Sequence, residues 1–502
     1  MNPMLAKLKE MREFDGAVRT TGLPEDVVAR FAETDPELVE AIDEAYAAHL
    51  ALRSCMPDFL HLDEAEQIRR TQADFVNFYP EDGVNPYVAL AAHGPWLITL
   101  KGAVVYDAGG YGMLGFGHAP KAILGVLARP QVMANVMTPN LSQLKFGKAL
   151  RKEIGHTRGG CPYAKFMCLN SGSESVSLAA RIVDVNARTM TDPGARHAGR
   201  TIKRLAVKGA FHGRTERPAQ YSDSSRKAYE QYLASFRGES SLLTVEPYSV
   251  EQLRQAFADA DRNGWFIEAV FIEPVMGEGD PGRSVTPEFY AAARELTRVH
   301  GSLLLVDSIQ AGLRAHGVLS IVDYPGFEKL DAPDMETYSK ALNAGQYPLS
   351  VLAVDARTAE LYRKGIYGNT MTANPRALDV ACAVLAALTP ELRENIRVRG
   401  REFLARLGKL KAELPGYITG VQGTGLLFSC ELSREFLCHG RGSTEEWMRE
   451  HGYGVIHGGA NSLRFTPEFG IGADEVELLV EGVRRALVEG PRKPESLHAV
   501  AA

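Results

Sequence analysis

The sequence has no excess of basic residues, no long apolar run and no clustered cysteines. Its 56 lysines and arginines are outnumbered by 62 aspartates and glutamates, which excludes a broad basic face for nucleic acid or anionic lipid. No apolar run approaches the roughly 18 residues of a membrane-spanning helix. The N-terminal stretch mixes charges throughout and lacks the apolar core of a signal peptide. We therefore expect a soluble, cytoplasmic protein with no membrane or nucleic-acid partner.

The six cysteines are scattered along the chain. Because no CxxC pair or metal-ligand spacing links them, we expect reduced thiols rather than disulfides or a metal centre. There is also no internal repeat and no low-complexity tract. With 45% hydrophobic and 24% charged residues, the chain has the composition of an ordinary globular protein with ample material for a core.

The stretch from residue 302 to residue 340 carries the most informative pattern. Leu303 to Val306 form an apolar run, typical of a strand buried on both faces of a parallel sheet, and Asp307 follows directly. A second extended segment, Met335 to Tyr338, precedes Lys340. Because open α/β sheets place ligand crevices at the carboxyl ends of their strands, we expect one acid and one amine to face the same crevice.

Pyridoxal phosphate (PLP) chemistry uses such a pair. A lysine amine forms a Schiff base with the cofactor aldehyde, while a carboxylate keeps the pyridine nitrogen protonated so that the ring acts as an electron sink. The plainer alternative is that Asp307 caps a helix and Lys340 is solvated. The rest of the motif pattern favours the PLP interpretation.

Composition and patterning predict five segments. Residues 1–85 form a charged helical extension that could wrap a partner subunit or cover an active-site mouth. Residues 131–390 alternate strands with helices, which indicates a large domain with a mostly parallel sheet. Residues 86–130 and 391–490 form the two parts of a smaller α+β domain. The tail at 491–502 is expected to be disordered.

Other motifs lie at strand ends. The turn Asn170-Ser-Gly-Ser-Glu-Ser175 precedes a helix predicted over Ser175 to about Arg188, and such a turn can bind phosphate or simply cap the helix. Phe211 could stack on a flat ring and Arg214 could bind a carboxylate, or they could be a core residue and a surface charge. A glycine-rich loop at residues 109–118 fits either a turn or a substrate-site loop.

In their order along the chain, these motifs resemble those of class III (ω-amino-acid type) aminotransferases, which are fold-type I PLP enzymes. The resemblance covers about residues 86–488 and implies an α/β fold, in which a large domain with a mostly parallel seven-stranded sheet accompanies a smaller α+β domain. Six motifs carry it: Asn170-Ser-Gly-Ser-Glu, Phe211-His-Gly-Arg-Thr, Glu273-Pro-Val-Met-Gly-Glu-Gly, Asp307-Ser-Ile-Gln-Ala-Gly, Ser339-Lys340-Ala-Leu and Thr370-Met-Thr-Ala-Asn-Pro.

The resemblance implies a cofactor role for each matching residue. Asp307 and Lys340 are catalytic, as the partner of the pyridine nitrogen and as the Schiff-base lysine. Thr370 reaches the phosphate of the neighbouring subunit's cofactor, which implies a homodimer with shared active sites. The remaining cofactor contacts are the phosphate-binding Gly172 and Ser173, the ring-stacking Phe211, and Gln310, which donates to the phenolic oxygen.

The same resemblance implies substrate contacts. Arg214 stands where family members bind a carboxylate, and Glu278 and Arg464 resemble a glutamate–arginine pair that opens to admit an α-carboxylate; they could equally form a structural salt bridge. Ser308 replaces the usual glutamate and Thr372-Ala373 replaces two glycines. These departures leave the cofactor assignments intact and the substrate open.

We therefore predict a PLP-dependent transaminase. It moves an amino group from an amino acid or ω-amine donor to a keto acid, 2-oxoglutarate or pyruvate, by a ping-pong mechanism. Racemases, decarboxylases and lyases use similar sites and form the first alternative. A non-catalytic scaffold with the same fold is a more remote one.

Overall fold

The computed structural model describes residues 2–14, 16–109, 111–133 and 136–493. The predicted disordered tail lies outside these residues from position 494 onward. Contacts divide the chain into two units. The smaller unit comprises Met1–Lys121, Val398–Gln422 and Phe428–Ala502, and the larger comprises Ala122–Arg397 and Gly423–Leu427.

Helices account for much of both units. The α-helices are α1 (Pro3–Arg12), α2 (Glu25–Thr34), α3 (Pro36–Cys55), α4 (Pro57–Leu60), α5 (Glu64–Gln72), α6 (Lys121–Leu124), α7 (Leu141–Glu153), α8 (Gly172–Thr191), α9 (Glu216–Ala219), α10 (Arg226–Tyr232), α11 (Val250–Arg262), α12 (Pro287–His300), α13 (Ala356–Leu361), α14 (Pro375–Ala387), α15 (Pro390–Glu413), α16 (Thr444–Glu450) and α17 (Ala473–Glu489).

The strands form three sheets. They are β1 (Ala89–His93), β2 (Trp96–Thr99), β3 (Val104–Asp107), β4 (Lys165–Leu169), β5 (Thr201–Val207), β6 (Leu242–Val245), β7 (Trp265–Ile272), β8 (Leu303–Asp307), β9 (Met335–Tyr338), β10 (Ser350–Val354), β11 (Ile418–Thr424), β12 (Leu427–Leu432), β13 (Tyr453–Gly454), β14 (Ile456–Gly458) and β15 (Ser462–Phe465).

The larger unit contains a seven-stranded sheet in the order β4-β10-β9-β8-β7-β5-β6. Strand β10 runs antiparallel to both of its neighbours, and the remaining pairs are parallel. The reversal of β10 follows from its connection to β9, because the intervening residues 339–349 contain only a single short 3-10 turn and a parallel return needs a longer crossover. The predicted mostly parallel sheet is confirmed.

The apolar run of β8 is buried along its whole length, and so is β9, although β9 also contains Glu336 and Thr337. Helix α8 packs on this sheet through a face that includes Val176, Ala180 and Val183. It begins at Gly172, three residues before the predicted start, because Ser171 and Glu174 form a capping box that satisfies the first N–H groups. The earlier start brings the predicted phosphate-binding residues into the first turn of the helix.

The smaller unit contains the helices of the N-terminal extension and two four-stranded sheets, β1-β2-β3-β13 and β11-β12-β15-β14. Helix α3 buries Leu38, Ala41, Ile42 and Ala45 and packs against β1 and β2. In the part of the chain that the structure describes, no helix is both long and apolar enough to span a membrane. The same residues hold no group of three or more histidine, cysteine or acidic side chains arranged for a metal ion.

Candidate active site

Two neighbouring strands of the larger unit position the predicted acid and the predicted amine. Strand β8 ends at the acid, and the amine follows shortly after the end of β9. Asp307 is the last residue of β8, and it pairs in register with Thr337 of the parallel strand β9. Lys340 follows two residues after the end of β9. Because parallel strands of one sheet lie about 4.8 Å apart, both residues leave the sheet at the same edge.

The Asp307 side chain is 4% exposed and is oriented by three donors. His212 Nδ1 lies 2.9 Å from Oδ2, while Thr337 Oγ1 donates to Oδ1 at 3.1 Å and the Ile309 amide donates at 3.3 Å. Hydrogen bonds on both oxygens fix the plane of a carboxylate. Asp307 is therefore a rigid anionic group at the end of β8.

Lys340 starts a short turn whose backbone is held in an unfavourable conformation. Its φ of 48° is left-handed, which costs a non-glycine residue about 1 kcal/mol. Ser339 Oγ and Asn343 Nδ2 both donate to the Leu349 carbonyl, at 2.7 and 2.9 Å. These two bonds brace the turn, and such over-determined strain is characteristic of functional positions.

The first turn of α8 has the features of an anion site. Gly172 passes so close to Ile309 that an added Cβ would lie 2.8 Å from Ile309 Cδ1. Ser173 Oγ accepts the Arg214 amide at 3.4 Å, which joins the predicted phosphate turn to the strand end that carries Phe211. The capping box bonds the amides of Ser171 and Glu174, and the amides of Gly172 and Ser173 between them lie at the positive end of the helix dipole, which favours an anion.

Phe211 and Arg214 lie against one another. The Arg214 guanidinium carbon is 4.7 Å from the centroid of the Phe211 ring, within cation–π range. Arg214 is exposed and Phe211 is half-buried. The Phe211 amide donates to Glu273 Oε1 at 3.0 Å, so the predicted stacking ring is tied to the end of β7.

Glu273 is a buried acid. It is the first residue of one of the six motifs, but no role was predicted for it from the sequence. Its second oxygen accepts the Gly277 amide at 2.9 Å. The pKa of Glu273 is raised to about 7, mainly because the carboxyl is buried; the nearby Asp307 adds to the rise, and His212 and the two amide bonds oppose it. Glu273 therefore titrates near neutral pH beside the residues predicted to bind the cofactor.

Replacing Glu273 with glutamine is expected to change how stability depends on pH. Since the folded-state pKa is raised from 4.5 to about 7, this group's contribution is complete below pH 4.5 and is lost as pH rises through 7. The wild type should lose up to roughly 3 kcal/mol relative to Glu273→Gln across that window. Urea unfolding at a series of pH values measures the difference, with the exposed Glu288→Gln as control; parallel curves for all three proteins would contradict the assignment.

Gln310 provides a test of whether the residues fit PLP. Its side chain is 6% exposed, and its amide nitrogen is buried without a hydrogen-bond partner among the described residues. A Cβ added to Gly277 would overlap Gln310 Oε1, so glycine is required for this amide to lie where it does. A buried donor without an acceptor is costly, and the phenolic oxygen of PLP would supply the acceptor. The residues fit the cofactor.

The sequence interpretation missed two groups, one that contacts Asp307 and one that contacts its neighbour Ser308. One is His212, and the signal for it was its place in the Phe211-His-Gly-Arg-Thr motif. The other is Glu336, a charged residue inside a fully buried strand. Ser308 Oγ donates to Glu336 Oε1 at 2.6 Å, and Tyr163 OH donates to Oε2 at the same distance. The serine that replaces the family's glutamate thus contacts a glutamate from the next strand.

The remaining predicted residues lie in different surroundings. Glu278, in the larger unit, is half-buried and accepts from Ser224 Oγ at 3.5 Å. Thr370 is exposed in the same unit. Arg464 belongs to the smaller unit, where it is 2% exposed and its guanidinium carbon lies 5.5 Å from the centroid of Tyr111.

The comparisons with known proteins decide the family. The model of aminotransferase class III matches residues 78–487, which is most of the chain. The protein belongs to the class III aminotransferases. As a member it is a PLP-dependent enzyme that transfers amino groups to keto acids, so the family, the enzyme class and the cofactor expected from the sequence are confirmed.

Class III relatives with curated names include acetylornithine aminotransferase of Prochlorococcus marinus, 25% identical over 78% of this chain and 89% of the relative. Succinylornithine transaminase of Salmonella typhimurium is 29% identical over 78% of this chain and 90% of the relative. Among solved structures, ornithine aminotransferase from Toxoplasma gondii has a TM-score of 0.71 at 22% identity, covering 87% of this chain and 98% of its own. The predicted fold class is confirmed.

Proposed function

We propose that this aminotransferase takes its amino group from a carboxylate-bearing amine of the ornithine type and passes it to 2-oxoglutarate or pyruvate in a ping-pong cycle. The observation that carries the proposal is the arrangement at the edge of the large sheet. The rigid Asp307 carboxylate lies at the end of β8, and the strained turn at Lys340 follows the adjacent strand β9. Relatives named for acetylornithine and succinylornithine support the donor class.

Each residue of the site has a proposed task toward the cofactor. PLP supplies an aldehyde carbon that accepts the amino group and a ring that takes up electrons from the substrate carbon. The Asp307 carboxylate would form an ion pair with the pyridine nitrogen and so keep that nitrogen protonated. The buried Gln310 amide would donate to the phenolic oxygen, Phe211 would stack on the ring, and the α8 turn with Gly172 and Ser173 would hold the phosphate.

Lys340 has two tasks in this proposal. It would bind the resting cofactor covalently as the Schiff-base lysine, and its released Nζ would then take a proton from the substrate carbon and deliver it elsewhere on the same molecule. The braced turn from Ser339 to Asn343 would limit where Nζ can move, and positioning of this kind contributes strongly to catalysis.

Arg214 would bind the substrate carboxylate, since a guanidinium offers two parallel donors to a carboxylate. Its contact with the Phe211 ring would keep that fork beside the cofactor. Glu278 and Arg464 are proposed as the pair that separates to admit a second, α-carboxylate-bearing substrate. A structural salt bridge remains the alternative for these two residues.

The function is tested by supplying donor without acceptor. The holoenzyme, mixed with N-acetylornithine, succinylornithine or ornithine alone, should convert its cofactor to the amine form, lose the visible absorbance band and stop after one half-reaction. Adding 2-oxoglutarate or pyruvate should restore the band. Continuous product formation without a keto acid would instead indicate a racemase, decarboxylase or lyase.

An exposed apolar patch of the larger unit supports a homodimer. Val136, Met137, Leu141, Leu144 and Met371 are between 55% and 83% exposed. They lie around α7 and the segment before α14, where Val136 and Thr372 line one cavity. Contiguous exposed apolar side chains mark interaction surfaces. We propose a second copy of the chain as the occupant, because the exposed Thr370 adjoins Met371 and could then reach the partner's phosphate.

Leu144→Glu is expected to weaken the dimer, because a charge at a buried interface position loses its water. Sedimentation should show mostly monomer at micromolar concentration, with reduced PLP retention. Val299→Glu, at an aliphatic position that is 65% exposed on α12, is the matched control and should leave the assembly unchanged. A wild type that sediments as a monomer would contradict the proposed assembly.

The predicted cytoplasmic location stays a prediction. All six cysteines carry free thiols, which is the state that a reducing compartment maintains.

A further inference from the structure

The smaller unit holds a cavity of about 520 Å³ that none of the assigned roles uses. One wall comes from the end of the N-terminal extension and includes Ile68, Thr71, Gln72 and Asn77. These residues precede the part of the chain that the family model matches. Other lining residues come from β1 to β3, from Gly109 and Tyr111 just after β3, and from the residues around β13 and β14. This cavity is therefore partly built from sequence that lies outside the family match.

Asp107 gives the cavity a carboxylate. The side chain is 19% exposed, its Oδ1 accepts the Gly109 amide at 2.9 Å, and its Oδ2 lies 3.0 Å from His118 Nε2. A carboxylate has about four acceptor positions. Both oxygens can therefore accept a further hydrogen bond from a ligand.

Arg449 also lines the cavity, but its charge is already offset. It contacts the buried Glu445 carboxylate, and it donates to the Val455 and Gly83 carbonyls, each at 3.0 Å. Its hydrogen bond to Gly83 holds that segment in the lining of the cavity. Asp107 is therefore the acidic group that the cavity offers to a ligand, beside a guanidinium that is already paired with Glu445.

Three tyrosines complete the lining: Tyr79, Tyr87 and Tyr111. The Tyr79 and Tyr111 rings stack with centroids 5.8 Å apart. A carboxylate among aromatic rings is the combination that attracts an ammonium group. We propose that this cavity binds an alkylammonium group, carried on a short chain.

Two sources of that group are consistent with the chemistry: the far end of an amino-acid substrate, or a free amine that acts as an effector. Tyr111 favours the first source. Its ring lies beneath the guanidinium of Arg464, which is proposed to bind the substrate. The site itself does not depend on the proposed function.

Binding is tested by calorimetry on the holoenzyme with N,N-dimethylpentylamine. This tertiary amine keeps one N–H donor when protonated and cannot condense with an aldehyde to a neutral imine. Asp107→Asn should raise its Kd at least tenfold, since a charge-assisted hydrogen bond is lost. Thr71→Trp, which adds bulk to the cavity from the N-terminal extension and keeps the Asp107 carboxylate, should do the same. The neighbouring Arg70→Trp is the control and should bind as the wild type does.

Equal affinity in the wild type, Asp107→Asn and Thr71→Trp, or no binding to the wild type, would overturn the proposal.

Kinetic measurements then distinguish the two sources of the ammonium group. Ornithine and 5-aminopentanoate share chain length and carboxylate and differ in one ammonium group. If Asp107→Asn removes a preference in kcat/KM for ornithine, the group belongs to the substrate. If that preference stays and the tertiary amine changes only the wild-type rate, the ligand is an effector. An enzyme without transferase activity would leave the calorimetric result unaffected.

Discussion

Lys340→Ala is expected to lower turnover by at least about 10⁴-fold, because the variant lacks both the covalent attachment point and the proton-transfer group. The visible band of the bound cofactor should also disappear. Treatment of the wild type with PLP and borohydride should add one reduced cofactor per chain, attached to the peptide that contains residue 340. The variant should gain none.

Lys208→Ala is the matched control for this variant. Lys208 also follows a parallel strand, β5, but it is exposed and paired with Glu246. Its replacement should leave the band, the labelling and the rate unchanged. Wild-type turnover in Lys340→Ala, or borohydride labelling at another lysine, would refute the role of Lys340.

Asp307→Asn is expected to have the second largest effect. The amide has nearly the same shape, but it cannot provide the negative charge that keeps the pyridine nitrogen protonated, so kcat should fall about 10³-fold. PLP should still bind, with an altered visible spectrum. Absorbance and single-turnover rates with a saturating donor measure the two effects separately.

Thr337→Val is the control for Asp307→Asn. It removes one of the three donors to the carboxylate and keeps the charge, and we expect a loss of about tenfold. If the two variants had equal rates, the carboxylate would serve only to hold its neighbours in place.

The sequence by itself was enough to predict which residues lie at the edge of the large sheet. The apolar run before Asp307, the short strand before Lys340 and the order of six motifs gave the fold class, the cofactor and the family. These signals are local, because burial of a strand and the polarity of its last residue are written in consecutive positions. Gly172 and Ser173 could be proposed as phosphate-binding residues for the same reason.

The supporting residues could not be assigned in this way. His212 acts on Asp307 from 95 positions away, and Ser308 meets Glu336 across two strands. Such contacts depend on strand order and register, which no single stretch specifies. In the sequence, the replacement of the usual glutamate by Ser308 only left the substrate open, whereas the fold places a glutamate from β9 against this serine.

The sequence determined what kind of chemistry this chain performs, since residue types and their local order specify the cofactor-binding motifs. Only the tertiary structure decided how Asp307 is oriented, why Gly277 must lack a side chain beside Gln310, and that the N-terminal extension closes a tyrosine-lined cavity around Asp107. These properties arise from close packing between segments distant in the chain, where the exclusion of water and the proximity of charges set the energy of each group.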